Sequence, residues 1–308
     1  MGQIITAFAC ADLNKEEKNS FQEIEWIDDI YKADIIIGNP KVYDIHPKFI
    51  QLESAGYEQY ENKFACPICN ASKSFGLGIS EYLICTILMS LRHMKAHMHN
   101  QDQRKWNRFD DTIQSISGSC ILILGLGDLG STFAKKAKAL GAYTIGVRKS
   151  KKDCDIVDEI YTIDSLNKVL PRADIIVCTL PSTKDTRYLL NEEHFHLMKK
   201  SALFCNVGRG DLVKRNILEK VMHEKIIQGM VLDVIENEPL DPGSSLWLDP
   251  NVIITPHVSG TFQLAKAKEI FLDIARQNVH AFIHDKPLIN QISSSILISL
   301  CQVDTQNN

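Results

Sequence analysis

The sequence predicts an α/β protein organised around a doubly wound parallel sheet, and three observations lead to this prediction. From Ser119 onward, short apolar runs alternate with polar or amphipathic stretches. A glycine-rich turn, GLGDLG at 125–130, directly follows the first of these runs. Three later runs are each followed by a reactive side chain, namely Arg209, Glu238 or His257. Strands that alternate with helices pair in parallel, and open parallel sheets bind ligands at the carboxyl ends of their strands.

The strands of this sheet are predicted from short apolar runs. Three such runs are CILIL (120–124), YTIGV (143–147) and DIIVCTL (174–180). Three more lie within ALFCNVGRG (202–210), GMVLDVIENEPL (229–240) and NVIITPHVSG (251–260). The amphipathic stretch 131–140 predicts a helix, which Gly141 ends as a C-cap.

The first hundred residues have a different pattern. Strand-like runs are found at 4–8, 35–37 and 49–52. The stretch 75–98 is apolar nearly all round, which predicts one long buried helix. The residues 100–112 are polar and indicate a linker. A final long helix is predicted over 260–283, and 285–292 can carry the chain back to the first domain. We therefore predict a substrate domain of 1–99 plus 284–308 and a cofactor domain of 100–283.

Composition and charge limit the partners and the cellular location that the chain can have. The chain has 308 residues, a formal net charge of −4 and a pI near 6.2, which argues against nucleic acid or an anionic membrane as the main partner. No apolar run is long enough to span a bilayer, and the N-terminus lacks a secretory pattern, so we expect a cytoplasmic protein. No metal site is predicted, because Cys66 and Cys69 lack a second cysteine pair at useful spacing; their role stays open.

The glycine-rich turn predicts a dinucleotide site of the Rossmann type. In GLGDLG the first glycine, Gly125, permits a tight turn. Gly127 lets a pyrophosphate approach the backbone, and Gly130 lets the helix pack closely on the strand. Asp128 and Leu129 lie between them at the start of the helix, whose positive end favours the pyrophosphate.

The end of the second strand of the cofactor domain predicts which dinucleotide is used. An acidic residue there would bind a ribose 2′-hydroxyl, but this chain has Arg148, Lys149 and Ser150. A guanidinium, an ammonium and a hydroxyl suit a 2′-phosphate. We predict NADP(H) as the preferred cofactor and NAD(H) as possible; the alternative is that Arg148 stacks on adenine without selecting between them.

The ordered motifs GLGDLG, TLPSTKDT, NVGRGDLV, LDVIENEPL and TPHVSG resemble those of the D-isomer-specific 2-hydroxyacid dehydrogenases. The resemblance covers nearly the whole chain and implies a Rossmann-type domain inserted into a flavodoxin-like substrate domain, with a homodimer formed through the cofactor domains. One departure is Arg148, where many members have Asp. A C-terminal regulatory domain is also absent, which weakens an interpretation as a regulated phosphoglycerate dehydrogenase.

The resemblance also implies roles for single residues. His257 would be the acid and base, Glu238 its carboxylate partner that favours the protonated imidazole, and Arg209 the anchor of the substrate carboxylate. Backbone amides around Ser54, Ala55 and Gly56 would bind the same carboxylate. The remaining predicted cofactor residues lie in the later motifs: Leu180, Pro181, Val207 and Asp233, the last of which orients the nicotinamide carboxamide or caps a turn.

These assignments predict an enzyme that reduces a small 2-keto acid to the D-2-hydroxy acid, and the reverse. Small unphosphorylated acids are favoured, because no basic cluster beyond Arg209 marks a phosphate pocket. Two alternatives remain at this point. One is phosphoglycerate dehydrogenase activity, and the other is a non-catalytic dinucleotide-sensing scaffold of the corepressor type.

Overall fold

The computed structural model describes residues 4–108, 113–150 and 155–292. These residues fold into two compact units. The first unit consists of the described residues up to Phe75 together with those from Phe262 onward. The second unit is Gly76–Thr261.

The first unit contains a parallel sheet of five short strands in the order β2-β1-β3-β4-β5. This is the 2-1-3-4-5 order of flavodoxin-like sheets. Its strands are β1 (Thr6–Ala9), β2 (Glu25–Trp26), β3 (Ile35–Ile37), β4 (Phe49–Gln51) and β5 (Ile68–Cys69). Its helices are α1 (Lys15–Asn19) and α8 (Ala265–Ile283).

The apolar core of the first unit lies on both faces of this sheet. Successive side chains of a strand point to opposite faces, and β3 is buried on each of them. Ile35 and Ile37 pack into one apolar cluster with Phe271 of α8, whereas Ile36 packs into the other. Gln291 forms an antiparallel bridge with Cys69, so the chain returns to the edge of this sheet at β5.

The second unit contains a parallel sheet of seven strands in the order β12-β11-β10-β9-β6-β7-β8. Its strands are β6 (Cys120–Leu124), β7 (Tyr143–Arg148), β8 (Glu159–Thr162), β9 (Ile175–Cys178), β10 (Leu203–Asn206), β11 (Gly229–Leu232) and β12 (Val252–Ile254). Its helices are α2 (Gly76–Leu91), α3 (Met94–Asp102), α4 (Asp128–Ala139), α5 (Leu166–Val169), α6 (Glu192–Leu197) and α7 (Arg215–His223).

Strand order reverses between β6 and β9, where the chain winds outward in both directions. Counted from β6, the sheet reads 3-2-1-4-5-6 with a seventh strand added, which is the Rossmann order. The predicted α/β fold class, a doubly wound parallel sheet together with a flavodoxin-like sheet, is confirmed. Ligands of such sheets bind where the order reverses, at the carboxyl ends of β6 and β9.

The division into units differs from the predicted domain boundaries at 99/100 and 283/284. Helix α2 falls in the second unit because it packs on α4 and on strands β10 and β11. Helix α8 falls in the first unit because it packs on β4. Of the predicted return segment 284–308, the structure describes residues 284–292.

The helix predicted over 75–98 is two helices, α2 and α3. His93 lies between them with a φ of +52°, in the left-handed region that a continuous helix cannot contain. Two residues further on, the ammonium of Lys95 donates to the carbonyls of Asp249 and Val252, both at 2.7 Å. These two bonds fix α3 to the start of β12. Helix α3 also includes residues 100–102 of the predicted linker 100–112, of which 109–112 lie outside the described residues.

Cys66 and Cys69 are buried beside and within β5, a strand too short to be predicted from its sequence. Burial raises the pKa of each thiol to about 12, so both stay protonated at neutral pH. They therefore have the environment of packing residues. No helix among the described residues is both long and apolar enough to cross a membrane.

Candidate active site

Arg209, Glu238 and His257 follow three neighbouring parallel strands of the second unit. Arg209 comes three residues after β10, and His257 comes three residues after β12. Glu238 lies on the loop that leaves β11. In the register of the sheet, Asn206 pairs with Leu232, which pairs with Ile254, so these three strands end at one level. The sequence prediction that they end together is thus matched by the backbone.

His257 and Glu238 form a direct pair. Nδ1 of His257 lies 2.9 Å from Oε2 of Glu238, and Oε1 of Glu238 accepts from the backbone N–H of Ile235 at 3.2 Å. Because a carboxylate can only accept, the hydrogen of the imidazole lies on Nδ1 in this pair. The other ring nitrogen, Nε2, is then the one that can exchange a proton with a ligand.

The loop that carries Glu238 is itself held by a second carboxylate. Glu236 accepts from the hydroxyl of Tyr188 at 2.7 Å and from the backbone N–H of Arg215 at 2.9 Å. Burial acts to raise the pKa of Glu236, but these two donors outweigh it and hold the pKa below its usual value. The bonds fix the segment two residues before Glu238.

Asp233 holds the loop that carries His257. It is 2% exposed, and its Oδ1 accepts from the hydroxyl of Thr255 at 2.6 Å and from the N–H of Val258 at 2.9 Å. Its Oδ2 accepts from the N–H of Ser259 at 3.0 Å. The backbone N–H of His257 donates to the carbonyl of Asp233 at 2.9 Å. His257 has a φ of +56°, a conformation that costs a non-glycine residue about 1 kcal/mol and that these bonds maintain.

Two residues that support this loop were not predicted from the sequence. Thr255 bridges Asp233 to Tyr82, whose hydroxyl lies 2.6 Å from the Thr255 hydroxyl. Burial raises the pKa of Tyr82 well above its usual value, so the phenol remains neutral. The position of Thr255 just before the Pro-His pair is a sequence signal that could have identified it. Tyr82 lies on α2, far away in sequence, and carries no such signal.

Arg209 is placed by close backbone packing on both sides. A Cβ on Gly208 would lie 2.6 Å from the carbonyl oxygen of Leu180, and a Cβ on Gly210 would lie 2.1 Å from the backbone of Ile235. Only glycine fits at either position. Nη1 of Arg209 donates to the carbonyl of Gly208 at 2.8 Å.

The three glycines after β6 differ in what the fold requires of them. Gly125 has a φ of +101°, and a Cβ on Gly130 would lie 1.9 Å from the carbonyl oxygen of Gly125. The first glycine is thus needed for the turn, and the third is needed for close packing of α4. A Cβ on Gly127 would meet nothing within 4 Å, so the space in front of it is open. This open space faces the N-terminus of α4, where backbone N–H groups favour a phosphate.

The other residues predicted to bind the cofactor lie on α4 and after strands β9 and β10. Leu180 and Pro181 follow β9, and Val207 follows β10, where it is buried. Leu129 is half-buried in the first turn of α4. The carboxylate of Asp128 accepts from the backbone N–H of Gly76, the first residue of α2, at 3.2 Å. The side chain of Asp128 therefore links the first turn of α4 to the first residue of α2.

Arg148, Lys149 and Ser150 lie at the carboxyl end of β7. Arg148 is half-buried as the last residue of the strand, and Ser150 is exposed. The Lys149 side chain is 91% exposed and pairs with Asp185 at 3.3 Å. The three residues offer a cation, a second cation and a hydroxyl at the edge where a Rossmann sheet receives the adenine ribose.

Ser54, Ala55 and Gly56 form a turn after β4 in the first unit. The carbonyl of Ser54 accepts from the N–H of Ala71, and the carbonyl of Ala55 accepts from the side chain of Asn70. The Ser54 hydroxyl donates to the carbonyl of Gly56 at 2.6 Å. Among the groups that the structure describes, none accepts from the N–H groups of the three residues. Adjacent N–H groups of this kind can bind an anion.

Comparisons with known proteins agree with this geometry. The model of the D-isomer specific 2-hydroxyacid dehydrogenase NAD binding domain matches residues 84–259, which is more than half of the chain. The chain belongs to this family. The predicted family is confirmed, and with it the class of NAD(P)-dependent oxidoreductases that act on 2-hydroxy acids.

Two curated relatives and two solved structures illustrate the similarity. A glycerate dehydrogenase from Methylorubrum extorquens is 31% identical over 68% of this chain and 66% of its own length. A glyoxylate reductase from Pyrococcus horikoshii is 36% identical over 54% of this chain and 49% of its own. A D-isomer specific 2-hydroxyacid dehydrogenase family protein from Aeromonas salmonicida is 28% identical, with a TM-score of 0.82 over 94% of this chain and 99% of that one. An NADPH-dependent glyoxylate/hydroxypyruvate reductase from Sinorhizobium meliloti, 23% identical, has the same fold, with a TM-score of 0.81 over 94% and 98%.

Proposed function

We propose that this protein is a reductase that uses NADPH to convert a small, unphosphorylated 2-keto acid into the D-2-hydroxy acid. The observation that carries the proposal is the His257–Glu238 pair. Its residues follow β12 and β11, and β11 pairs with β10, the strand that Arg209 follows. An acid, a carboxylate that orients it and a guanidinium are the groups that a reduction of this kind requires.

Arg209 is the proposed anchor of the substrate. A guanidinium can bind a carboxylate through two parallel N–H···O bonds, and it can also donate to the keto oxygen beside it. We propose that the N–H groups of Ser54, Ala55 and Gly56 also act as ligands of a carboxylate group. Their carbonyls are already bonded within the first unit, which supports a role for the amides as ligands.

His257 is the proposed proton donor. The proton passes from Nε2 to the keto oxygen while the carbonyl carbon is reduced, and Glu238 holds Nδ1–H throughout. The carboxylate accepts from Nδ1 and keeps the ring oriented before and after the transfer. In the reverse direction the same nitrogen removes the proton of the hydroxyl.

The glycine turn fits a nicotinamide dinucleotide, since the open space at Gly127 faces the N-terminus of α4. When bound, the cofactor supplies the hydride that reduces the carbonyl carbon. We propose that Gly125, Gly127, Asp128, Leu129 and Gly130 receive the pyrophosphate through their backbone, with Leu180, Pro181 and Val207 beside them. Asp233 already fixes the His257 loop, and its Oδ2 has a further acceptor position for the carboxamide.

We propose NADPH as the preferred cofactor because of Arg148, Lys149 and Ser150. A 2′-phosphate can accept hydrogen bonds from all three side chains, whereas the 2′-hydroxyl of NADH would find no carboxylate among them. The proposal is supported, at the level of the fold, by the NADP-bound reductase of Sinorhizobium meliloti.

An assay of a substrate panel with both cofactors tests the function. Glyoxylate, hydroxypyruvate, phenylpyruvate and 3-phosphohydroxypyruvate are each mixed with NADPH or NADH, and oxidation is followed by absorbance. We expect the largest kcat/KM for glyoxylate or hydroxypyruvate with NADPH, and a D-configured product from hydroxypyruvate. Turnover of none of the acids would overturn the function, and a higher kcat/KM with NADH would overturn the cofactor preference alone.

We also propose that the enzyme is a cytoplasmic homodimer formed through its second unit. Large apolar side chains are exposed along and just after α3: Met94, Met98 and Trp106, of which Trp106 is 97% exposed. Exposed apolar side chains of this size can form part of an interface between proteins. Light scattering after size exclusion should give twice the mass of 34.7 kDa, and Trp106→Lys should shift it toward the monomer. A monomeric wild-type protein contradicts this.

A further inference from the structure

The first unit contains a cluster of metal-ligating side chains that the proposed reduction does not use. Glu23 lies just before β2, and His280 and His284 lie one turn apart at the C-terminal end of α8. The ligand atoms of the three side chains all lie within 4.8 Å of one another.

The carboxylate of Glu23 holds the cluster together. Its Oε2 lies 2.7 Å from Nδ1 of His280, and its Oε1 lies 2.7 Å from Nε2 of His284. The two rings are tilted against each other with their centroids 4.4 Å apart.

The sequence predicts no metal site, and the positions of these residues explain why. Glu23 is separated from His280 by 257 positions and from His284 by 261. Only the fold of the first unit, in which α8 returns to the sheet, brings them together. The spacing of four between the two histidines is common on solvated helices and is not a signal by itself.

We propose that Glu23, His280 and His284 form a binding site for Zn²⁺ or a similar transition-metal ion. Two imidazole nitrogens and one carboxylate oxygen are ligands that Zn²⁺ accepts, at about 2.0–2.2 Å, with a water molecule in the fourth tetrahedral position. Mg²⁺ and Ca²⁺ prefer oxygen ligands and more of them, so they do not fit this set.

The cluster is arranged for an ion that arrives from solvent. All three side chains are partly exposed, which leaves space for the fourth ligand. An ion in the centre takes the place of the hydrogens that the rings now direct at Glu23. It would join the end of α8 to the segment before β2, two parts of the first unit that are distant in sequence, and would therefore stabilise that unit.

Lys286 provides a specific test of this geometry. Its ammonium lies 3.4 Å from Nε2 of His280. When Nδ1 of His280 binds a metal ion, the neutral ring carries its hydrogen on Nε2, and Nε2 can no longer accept from a lysine. The ammonium must then turn away, and its charge also repels the cation. Lys286→Ala should therefore bind the metal ion more tightly than the wild-type protein does.

The experiment is a calorimetric titration of the full chain with ZnCl₂, repeated with MgCl₂. We expect saturable binding of Zn²⁺ and none of Mg²⁺ at equal concentration. His284→Ala and Glu23→Gln should each weaken the Zn²⁺ affinity by about 100-fold or more, since loss of an outer-shell partner alone costs roughly 10- to 100-fold. Circular dichroism and thermal unfolding show that each variant is folded.

His196→Ala is the matched control. His196 pairs with Glu192 at 3.6 Å on α6 and belongs to no three-residue cluster among the described residues. This variant should keep the wild-type Zn²⁺ affinity, which separates the site from general binding by surface histidines. The proposal is overturned if the wild-type protein binds no Zn²⁺, if His284→Ala binds as tightly as the wild type, or if Lys286→Ala binds no more tightly than the wild type.

Discussion

Two regions at the carboxyl edge of the seven-stranded sheet differ in how firmly their side chains are held. At the ends of β11 and β12, Glu238 and His257 lie on loops fixed by Glu236 and by the buried Asp233. At the end of β7, Lys149 is 91% exposed and its ion pair is with Asp185 on the surface. Proton transfer needs a fixed geometry, whereas recognition of a phosphate can use long side chains that close on the ligand.

This difference predicts that changes in the two regions have different consequences. Substitutions in the region of Glu238 and His257 should lower turnover and leave binding of the cofactor intact. Substitutions at the end of β7 should alter the choice of cofactor and leave turnover intact.

The largest effect is expected for His257→Ala. Loss of the proton donor should lower kcat by about 100- to 10,000-fold, the usual contribution of a general acid. The measurement is kcat for reduction of glyoxylate with saturating NADPH. His194→Ala, on α6, is the control and should behave as the wild type; near-normal turnover by His257→Ala would mean that another group is the acid.

Arg209→Lys should have the next largest effect. A lysine keeps the charge but cannot form two parallel bonds to a carboxylate, so kcat/KM should fall by about 100-fold or more. The loss should be smaller for Arg215→Lys, which keeps the cation on α7 and its backbone bond to Glu236. If Arg209→Lys keeps a kcat/KM close to that of the wild type, Arg209 acts only through its charge.

Asp233→Asn tests the loop that holds His257. Two backbone N–H groups and one hydroxyl donate to this carboxylate. An amide nitrogen at one oxygen position would face a donor, so the free energy of unfolding should fall by about 2 kcal/mol or more. Thr255→Val removes the two bonds of one hydroxyl, to Asp233 and to Tyr82, and should cost about 1–2 kcal/mol. Chemical denaturation of both variants measures this, and an Asp233→Asn variant as stable as the wild type would show that the bonds of Asp233 do not fix the loop.

Arg148→Ala tests the exposed region. Loss of a charge-assisted contact with the 2′-phosphate should raise the KM for NADPH by about 10- to 100-fold, equivalent to about 1.5–3 kcal/mol. The KM for NADH should stay within about twofold. If both values rise equally, Arg148 stacks on the adenine and does not select between the cofactors.

The smallest effect is expected from Glu236. Its pKa is depressed in the folded protein, because its two donors outweigh the effect of burial. This contribution to stability is fully present above the unfolded pKa, about 4.3, and is lost as the pH falls through the lower folded value. Glu236→Gln should therefore lower the Tm at pH 7 more than at pH 3. Equal differences at the two pH values would contradict the assignment.

Much of the second unit could be predicted from its sequence, because its signals are local. Strand β6 and the glycine turn lie at their predicted positions, since a buried parallel strand is a continuous apolar run and the turn needs glycine at fixed places. Arg209, Glu238 and His257 were identifiable because each directly follows such a run. The first unit was less predictable: β2 and β5 have two residues each, too few for a pattern.

The parts that could not be predicted depend on contacts between distant residues. The break at His93 accompanies bonds of Lys95 to the start of β12, and the support of Thr255 by Tyr82 joins α2 to the sheet. Neither pair is close in the chain. The cluster of Glu23, His280 and His284 has the same origin.

The most direct test of the central claim measures the kcat and the Kd for NADPH together, in His257→Ala and in Arg148→Ala. We predict that His257→Ala loses turnover by about 100-fold or more and keeps the Kd within about twofold. Arg148→Ala should keep its turnover at saturation and lose affinity by about 10- to 100-fold. If the two variants change kcat and Kd in the same way, the His257 region and the Arg148 region do not have separate roles in proton transfer and cofactor binding.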